Sequence, residues 1–151
     1  MAFRYNAKGI KENGNDFTPI PRGTYLLKID KATDKNKDGF LLESKNGNTM
    51  VNVQFSVVNG PHAGRKLFHN VVFMKDPEAK GAGMAIHFLK VIGEPWEDEF
   101  DVIPERWEGR KLSAYVVIEN YQGKDGNKIK GVDKIDENDP FAGAEEPDFT
   151  I

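Results

Sequence analysis

The chain has 151 residues, of which 38% are hydrophobic and 30% charged, and this length suits one globular domain better than two independent cores. It contains no cysteine, which excludes disulfides, thiolate metal sites and a cysteine nucleophile and favours a cytoplasmic setting. No apolar run approaches the roughly 20 residues that cross a bilayer, so we expect a soluble protein without a membrane partner.

The net charge of -3 is unevenly distributed along the chain. Residues 136–151 hold six acidic side chains and no lysine or arginine, which leaves 21 basic and 18 acidic residues, or about +3, in the remainder. The composition of this last segment cannot bury enough apolar surface to offset the entropy of ordering it. We therefore expect a mildly basic body followed by a disordered acidic C-terminal tail.

The first half of the chain shows the period of β-strands. Residues 1–20 have no sustained period and predict an irregular N-terminal arm. Apolar and polar residues then alternate over residues 23–32, 50–58 and 65–73, with turn-forming glycine, proline and asparagine between these segments. The pattern predicts three strands.

The second half begins with a helix. Apolar residues recur at helical spacing over residues 83–92, and Gly93 with Pro95 ends the pattern. A connection that contains both tryptophans leads to a strand at residues 112–121, a turn at residues 123–126 and a last strand near residues 127–132.

Three strands, a helix and two further strands follow one another in the order of the OB fold. The sequence therefore predicts an all-β protein, with a five-stranded OB-fold barrel over residues 21–135 and one short helix between strands 3 and 4. The arm of residues 1–20 precedes this domain, and the tail of residues 136–151 follows it.

Basic and aromatic residues are interleaved on the last three predicted strands. Single-stranded nucleic acid needs cations that neutralise phosphates and exposed rings on which bases stack. The alternative is that the rings are ordinary core or surface residues and the lysines a solvated face; Phe55, Phe73, Trp96 and Trp107 are interpreted as core. The predicted DNA-binding set comprises Arg65, Lys66, Phe68, Arg110, Lys111, Tyr115, Tyr121, Lys124, Lys128 and Lys130.

Catalytic and metal-binding patterns are missing from the sequence. No carboxylate pair, activated nucleophile or phosphate-binding loop stands in a setting that suits catalysis, so we expect no enzymatic activity and no cofactor. The three histidines are irregularly spaced and have no cysteine partners, so we expect no metal site. Residues 34–39 match the opening of a calcium loop, but Lys45 stands where that loop needs glutamate, which favours a simple turn.

The tail ends with apolar residues beside an acid. Asp148, Phe149 and Ile151 form an acidic, apolar tip suited to docking in a basic, hydrophobic pocket of a partner protein. A purely solubilising role is the alternative.

Several segments together resemble the small single-stranded-DNA-binding proteins of tailed phages. They are Pro21-Arg-Gly-Thr-Tyr25, Val53-Gln-Phe55, Gly60-Pro-His-Ala-Gly-Arg-Lys-Leu-Phe68 and Gly109-Arg-Lys-Leu-Ser-Ala-Tyr-Val116, and the resemblance extends from about Pro21 to Val132. The terminal Asp-Phe-Thr-Ile is similar to the acidic tails of such proteins, although it lacks their Pro-Phe end. The resemblance implies an OB fold and a role in phage DNA replication or recombination in the host cytoplasm, with replication or recombination proteins recruited by the tail.

Two other functions stay open at this stage. The first is a barrel that binds proteins of a phage or bacterial complex and never touches nucleic acid. The second is a small nuclease, which metal-dependent cleavage would reveal. The sequence is compatible with a monomer and with a homo-oligomer.

Overall fold

A computed structural model of the chain describes residues 2–6, 8 and 18–135. In this part of the chain the five strands form one antiparallel sheet in the order β3-β2-β1-β4-β5, and no helix is long and apolar enough to cross a membrane. The elements are β1 (Gly23–Thr33), β2 (Thr49–Val57), β3 (Lys66–Phe73), α1 (Ala82–Ile92), a 3₁₀ turn (Pro104–Trp107), β4 (Lys111–Tyr121) and β5 (Lys124–Asp133).

Strand β1 is the centre of the sheet. Its first half pairs with β4 and its second half with β2, and Leu27 lies opposite both Val57 and Leu112. A bulge at Asp30 interrupts the pairing with β2, so that Ile29 and Ala32 both point into the core. Side chains alternate between two faces of a strand, and β1 thereby sets which face of its neighbours is buried.

One face of the sheet and one side of α1 enclose the hydrophobic core. Val51, Val53 and Phe55 of β2 are almost completely buried, as the alternation of their strand predicts. The helix contributes Phe88 and Leu89, and the 3₁₀ turn contributes Trp107, which packs its ring 5.4 Å from that of Phe88. The other face of the sheet, here called the outer face, is left for solvent or a ligand.

The sheet curves until its two edge strands, β3 and β5, approach each other, and α1 packs against both. The imidazole Nε2–H of His87 on α1 donates a hydrogen bond to the Val132 carbonyl of β5, at 2.8 Å. At the far end of β5 the side chain of Asn127 binds both backbone groups of Ile20, at 2.9 and 3.0 Å. Ile20 is buried, so this bond fixes the N-terminal segment to the core.

The structure confirms the five strands and the helix between β3 and β4, with most ends within one residue of the predicted ones. The predicted turn at residues 123–126 is wrong: Gln122 and Gly123 form a two-residue turn with φ of 52° and 81°, and β5 begins at Lys124. The prediction that Trp96 belongs to the core is also wrong, because its side chain is exposed. The Lys90 ammonium lies over its ring, 4.0 Å from the ring centroid.

The two tryptophans therefore give a matched test of the core. Trp107→Ala should lower the free energy of unfolding by about 3–5 kcal/mol, because it empties a completely buried site. Trp96→Ala should lower it less than Trp107→Ala does, because Trp96 is 36% exposed and its cation–π contact is of the exposed kind, worth about 0.5–1 kcal/mol. Urea unfolding of both variants measures the difference, and equal losses would contradict the packing described here.

Candidate nucleic-acid interface

The outer face of β1, β2 and β3 combines one exposed ring with polar and basic groups. Phe68 on β3 is 58% exposed and lies opposite Gln54 on β2, which in turn lies opposite Lys31 on β1. In the neighbouring row the Asn52 amide donates a hydrogen bond to the Asn70 side-chain oxygen at 2.9 Å. An aromatic ring beside amides and an ammonium offers a base both stacking and hydrogen bonding.

Lysines cross the middle of the outer face. The register places Lys66, Ser56, Lys28 and Lys111 in one row across β3, β2, β1 and β4. Asp30, at the bulge, binds Lys66 at 2.8 Å and accepts a hydrogen bond from Ser56 at 3.0 Å. Lys28 and Lys111 lie directly opposite each other on β1 and β4.

The β4–β5 hairpin carries the second part of the outer face. All residues from 118 to 126 are exposed, so the end of this hairpin projects from the body as an arm. Tyr121 is 70% exposed and lies opposite Lys124 next to the turn. Tyr115, closer to the body, is 43% exposed on the same face, and this exposure confirms that the tyrosine leaves the core.

Strand β5 supplies two more lysines. Lys128 lies opposite Val117 on the outer face, and its Nζ is 3.4 Å from Glu119, with both side chains about half exposed. A pair this exposed contributes little to stability, so a phosphate can compete for the lysine. Lys130 is exposed at a second bulge, between Ile129 and Gly131.

The two parts of the outer face approach each other across the seam between β3 and β5. Burial, reinforced by the positive charge of Lys128, lowers the pKa of His69 below its ordinary value of 6.5. His69 directly follows Phe68 on β3. Phe68 is therefore next in sequence to the residue of β3 whose pKa the charge of Lys128 lowers. The predicted residues of β3 and of β5 thus lie at one seam although they belong to opposite edges of the sheet.

Two predicted arginines make hydrogen bonds within the protein. The Arg110 guanidinium binds Glu94 at 2.6 Å and the Ile92 carbonyl at 2.6 Å. Glu94 is buried and also binds Arg106 at 2.7 Å, so these three residues join α1, the 3₁₀ turn and β4. Arg65 donates a hydrogen bond to the Thr18 carbonyl. We assign Arg110 to the fold rather than to the interface.

The tail residues Asp148, Phe149 and Ile151 lie outside the described residues, and their assignment stays a prediction.

Sequence reasoning left Lys28 and Lys31 out of the predicted DNA-binding set, although alternation turns Lys28 away from Leu27 and Ile29. A simple alternation from Leu27 and Ile29 would turn Lys31 inward, whereas the bulge at Asp30 turns it outward, opposite Gln54. A bulge in β1 leaves no composition signal, and only the pairing with β2 reveals it.

Charge in the body is separated in space. Residues 94–108 hold seven acidic residues and one arginine, whereas the rest of residues 18–135 holds 17 basic and nine acidic residues. Asp98 and Glu99 of the acidic segment lie with Thr49 and Phe73, at the opposite end of β3 from Lys66. The outer face near Lys66 therefore lies away from Asp98 and Glu99.

Among the described residues, no group of three histidine, aspartate or glutamate side chains could hold a metal ion.

The lowered pKa of His69 makes stability depend on pH. In the unfolded chain the imidazole gains a proton as the pH falls through about 6.5, whereas in the fold it stays neutral to a lower pH. We expect the free energy of unfolding to fall between about pH 7.5 and about pH 5.5. His69→Gln should remove this part of the loss and His62→Gln, in the loop before β3, should retain it; urea unfolding at both pH values measures each slope. Equal slopes for the two variants would contradict the burial of His69.

Comparison with known families places the body of the chain in one family. Residues 7–142 match the family described as "Protein of unknown function (DUF669)". No curated protein matches the chain. The match covers far more than half of the 151 residues, so the chain belongs to the DUF669 family.

Proposed function

We propose that this protein binds single-stranded DNA with little sequence preference on the outer face of its sheet. Phosphates would be neutralised by Lys28, Lys31, Lys66, Lys111 and the lysines of β5. Bases would stack on Phe68, Tyr115 and Tyr121. The observation that carries the proposal is the register, which puts these exposed rings together with Lys28, Lys31, Lys66, Lys111 and Lys128 on a single face.

The arrangement of strands supports this function. The order β3-β2-β1-β4-β5, the helix between β3 and β4 and the approach of β3 to β5 are what an OB-fold barrel requires, and we propose that fold here. OB folds bind oligonucleotides on the strand 2–3 face and on the loops between strands 1 and 2 and strands 4 and 5. Phe68 belongs to that strand face, and Tyr121 and Lys124 are the strand residues that flank the turn between strands 4 and 5.

The chemistry of such a surface is non-catalytic. An aromatic ring stacks on any base because every base has a π-face, and a lysine ammonium attracts any phosphate. Neither contact reads the base edge, which explains the low sequence preference. With the resemblance to phage single-strand binders, this chemistry supports a role in phage DNA replication or recombination in the host cytoplasm.

The acidic tail extends the proposal. Six acids tethered to a basic face compete with DNA at an effective concentration that reaches about millimolar for short linkers. The tip with Asp148, Phe149 and Ile151 would recruit a replication or recombination protein once DNA displaces it.

The rings provide the sharpest test of the proposed surface. Phe68→Ala and Tyr121→Ala should each weaken binding to poly-dT by about 1–3 kcal/mol, the value of one stacked base. Both rings are exposed, so the melting temperature should change little. Trp96→Ala removes an exposed ring next to the acidic segment and serves as the matched control, with unchanged affinity. Normal binding by both test variants in a fluorescence titration would place the ligand elsewhere.

The proposed competition between the tail and DNA is tested by removing the charge of the tail and nothing else. We replace the six acids of residues 136–151 with the corresponding amides, which keeps the length and the apolar residues. Affinity for poly-dT should increase at about 50 mM salt, and the gain should shrink as salt screens the tail. Equal affinities of the amide variant and the parent chain at low salt would rule out competition by the tail.

A further inference from the structure

A cavity of about 530 Å³ opens at the seam between β3 and β5, beneath α1. Its floor consists of core residues, among them Val71, Phe88 and Ile129. Met74 and Met84 stand at the helix side, and Met84 is 63% exposed. The volume falls in the range of sites that hold a small ligand, and a large apolar opening over the core is costly to leave in water.

The charges around this cavity favour an acidic occupant. Among the described lining residues, Lys130 carries a positive charge and none is a carboxylate. Methionine side chains adapt their shape to an inserted group and contact aromatic rings favourably. An acidic segment with an aromatic side chain therefore suits the cavity.

The chain itself provides such a segment next to the cavity. Val132 lines the cavity, β5 ends at Asp133, and the described residues end at Ile135. Six residues further along stands Phe141, preceded by Asp136, Glu137 and Asp139. Six residues reach about 20 Å when extended, which exceeds the dimension of a cavity of this volume.

The family match distinguishes the two phenylalanines that follow the sheet. It ends at residue 142, so it contains Phe141 and excludes Phe149. Residues 136–142 thus lie within the family match, whereas Phe149 and Ile151 lie beyond it.

We propose that Phe141 occupies the cavity between β3, β5 and α1, in the same chain, with the acids before it facing Lys130. The docked segment covers the open seam and adds a piece to the core. It also holds three of the six tail acids beside the lysines of β5 and leaves the segment with Phe149 and Ile151 available to a partner. The inference concerns the seam and does not depend on DNA binding.

Disulfide trapping tests the proposal, because the chain contains no native cysteine. The test chain carries Met84→Cys and Ala142→Cys, and the reference chain carries Met84→Cys and Thr150→Cys, each as full-length protein. Ala142 is seven residues and Thr150 fifteen residues beyond Ile135. Tether length alone should therefore make the cross-linking rate of the test chain about three times that of the reference chain. Docking of Phe141 should raise this ratio to about tenfold or more.

Adding Phe141→Ala to the test chain should return the ratio to about threefold, and Phe149→Ala, the matched control, should leave it high. A cross-linking rate that is unchanged by Phe141→Ala would overturn the proposal. Disulfide-linked dimers as the main product would overturn it as well, because the segment would then occupy the cavity of a second copy.

Discussion

The pairing of β1 on both sides is the constraint on which the rest of the structure depends. Leu27 meets Val57 on one side and Leu112 on the other, so a shift of β1 by one residue would turn the buried residues of both neighbours outward. The bulge at Asp30 then corrects the alternation, which buries Ala32 and brings Lys31 to the outer face. The core and the proposed interface are two consequences of one register.

Within the body, the charged residues that stabilise the fold differ from the lysines that we propose bind DNA. Buried Glu94 holds the end of α1, the 3₁₀ turn and the start of β4 together through Arg106 and Arg110. Removing one partner of a buried carboxylate is costly, typically about 3–5 kcal/mol, so these arginines stabilise the fold. Lys128 of the outer face has a weaker, exposed partner in Glu119, and exchanging such a partner for a phosphate costs little.

Local pattern predicted the elements well, because alternation and helical spacing are properties of consecutive residues. The inward face of β2 and the exposure of Tyr115 and Tyr121 followed from alternation alone. Features that depend on contacts between distant residues could not be predicted from local pattern. Arg110 has the same sequence setting as a phosphate-binding arginine, and only its distance to Glu94 shows its structural role. Residue type alone predicts Trp96 in the core, although the chain turns it towards Lys90 and solvent.

The central claim is that the outer face binds single strands through phosphates and stacking, and the salt dependence of poly-dT binding tests it most directly. For single strands the slope of log K against log salt is about -0.7 per neutralised phosphate, so several lysine contacts predict a slope of roughly -2 to -4. A duplex of the same length should bind more weakly, because its bases are not free to stack on the rings. A slope near zero, or a preference for the duplex, would contradict the account.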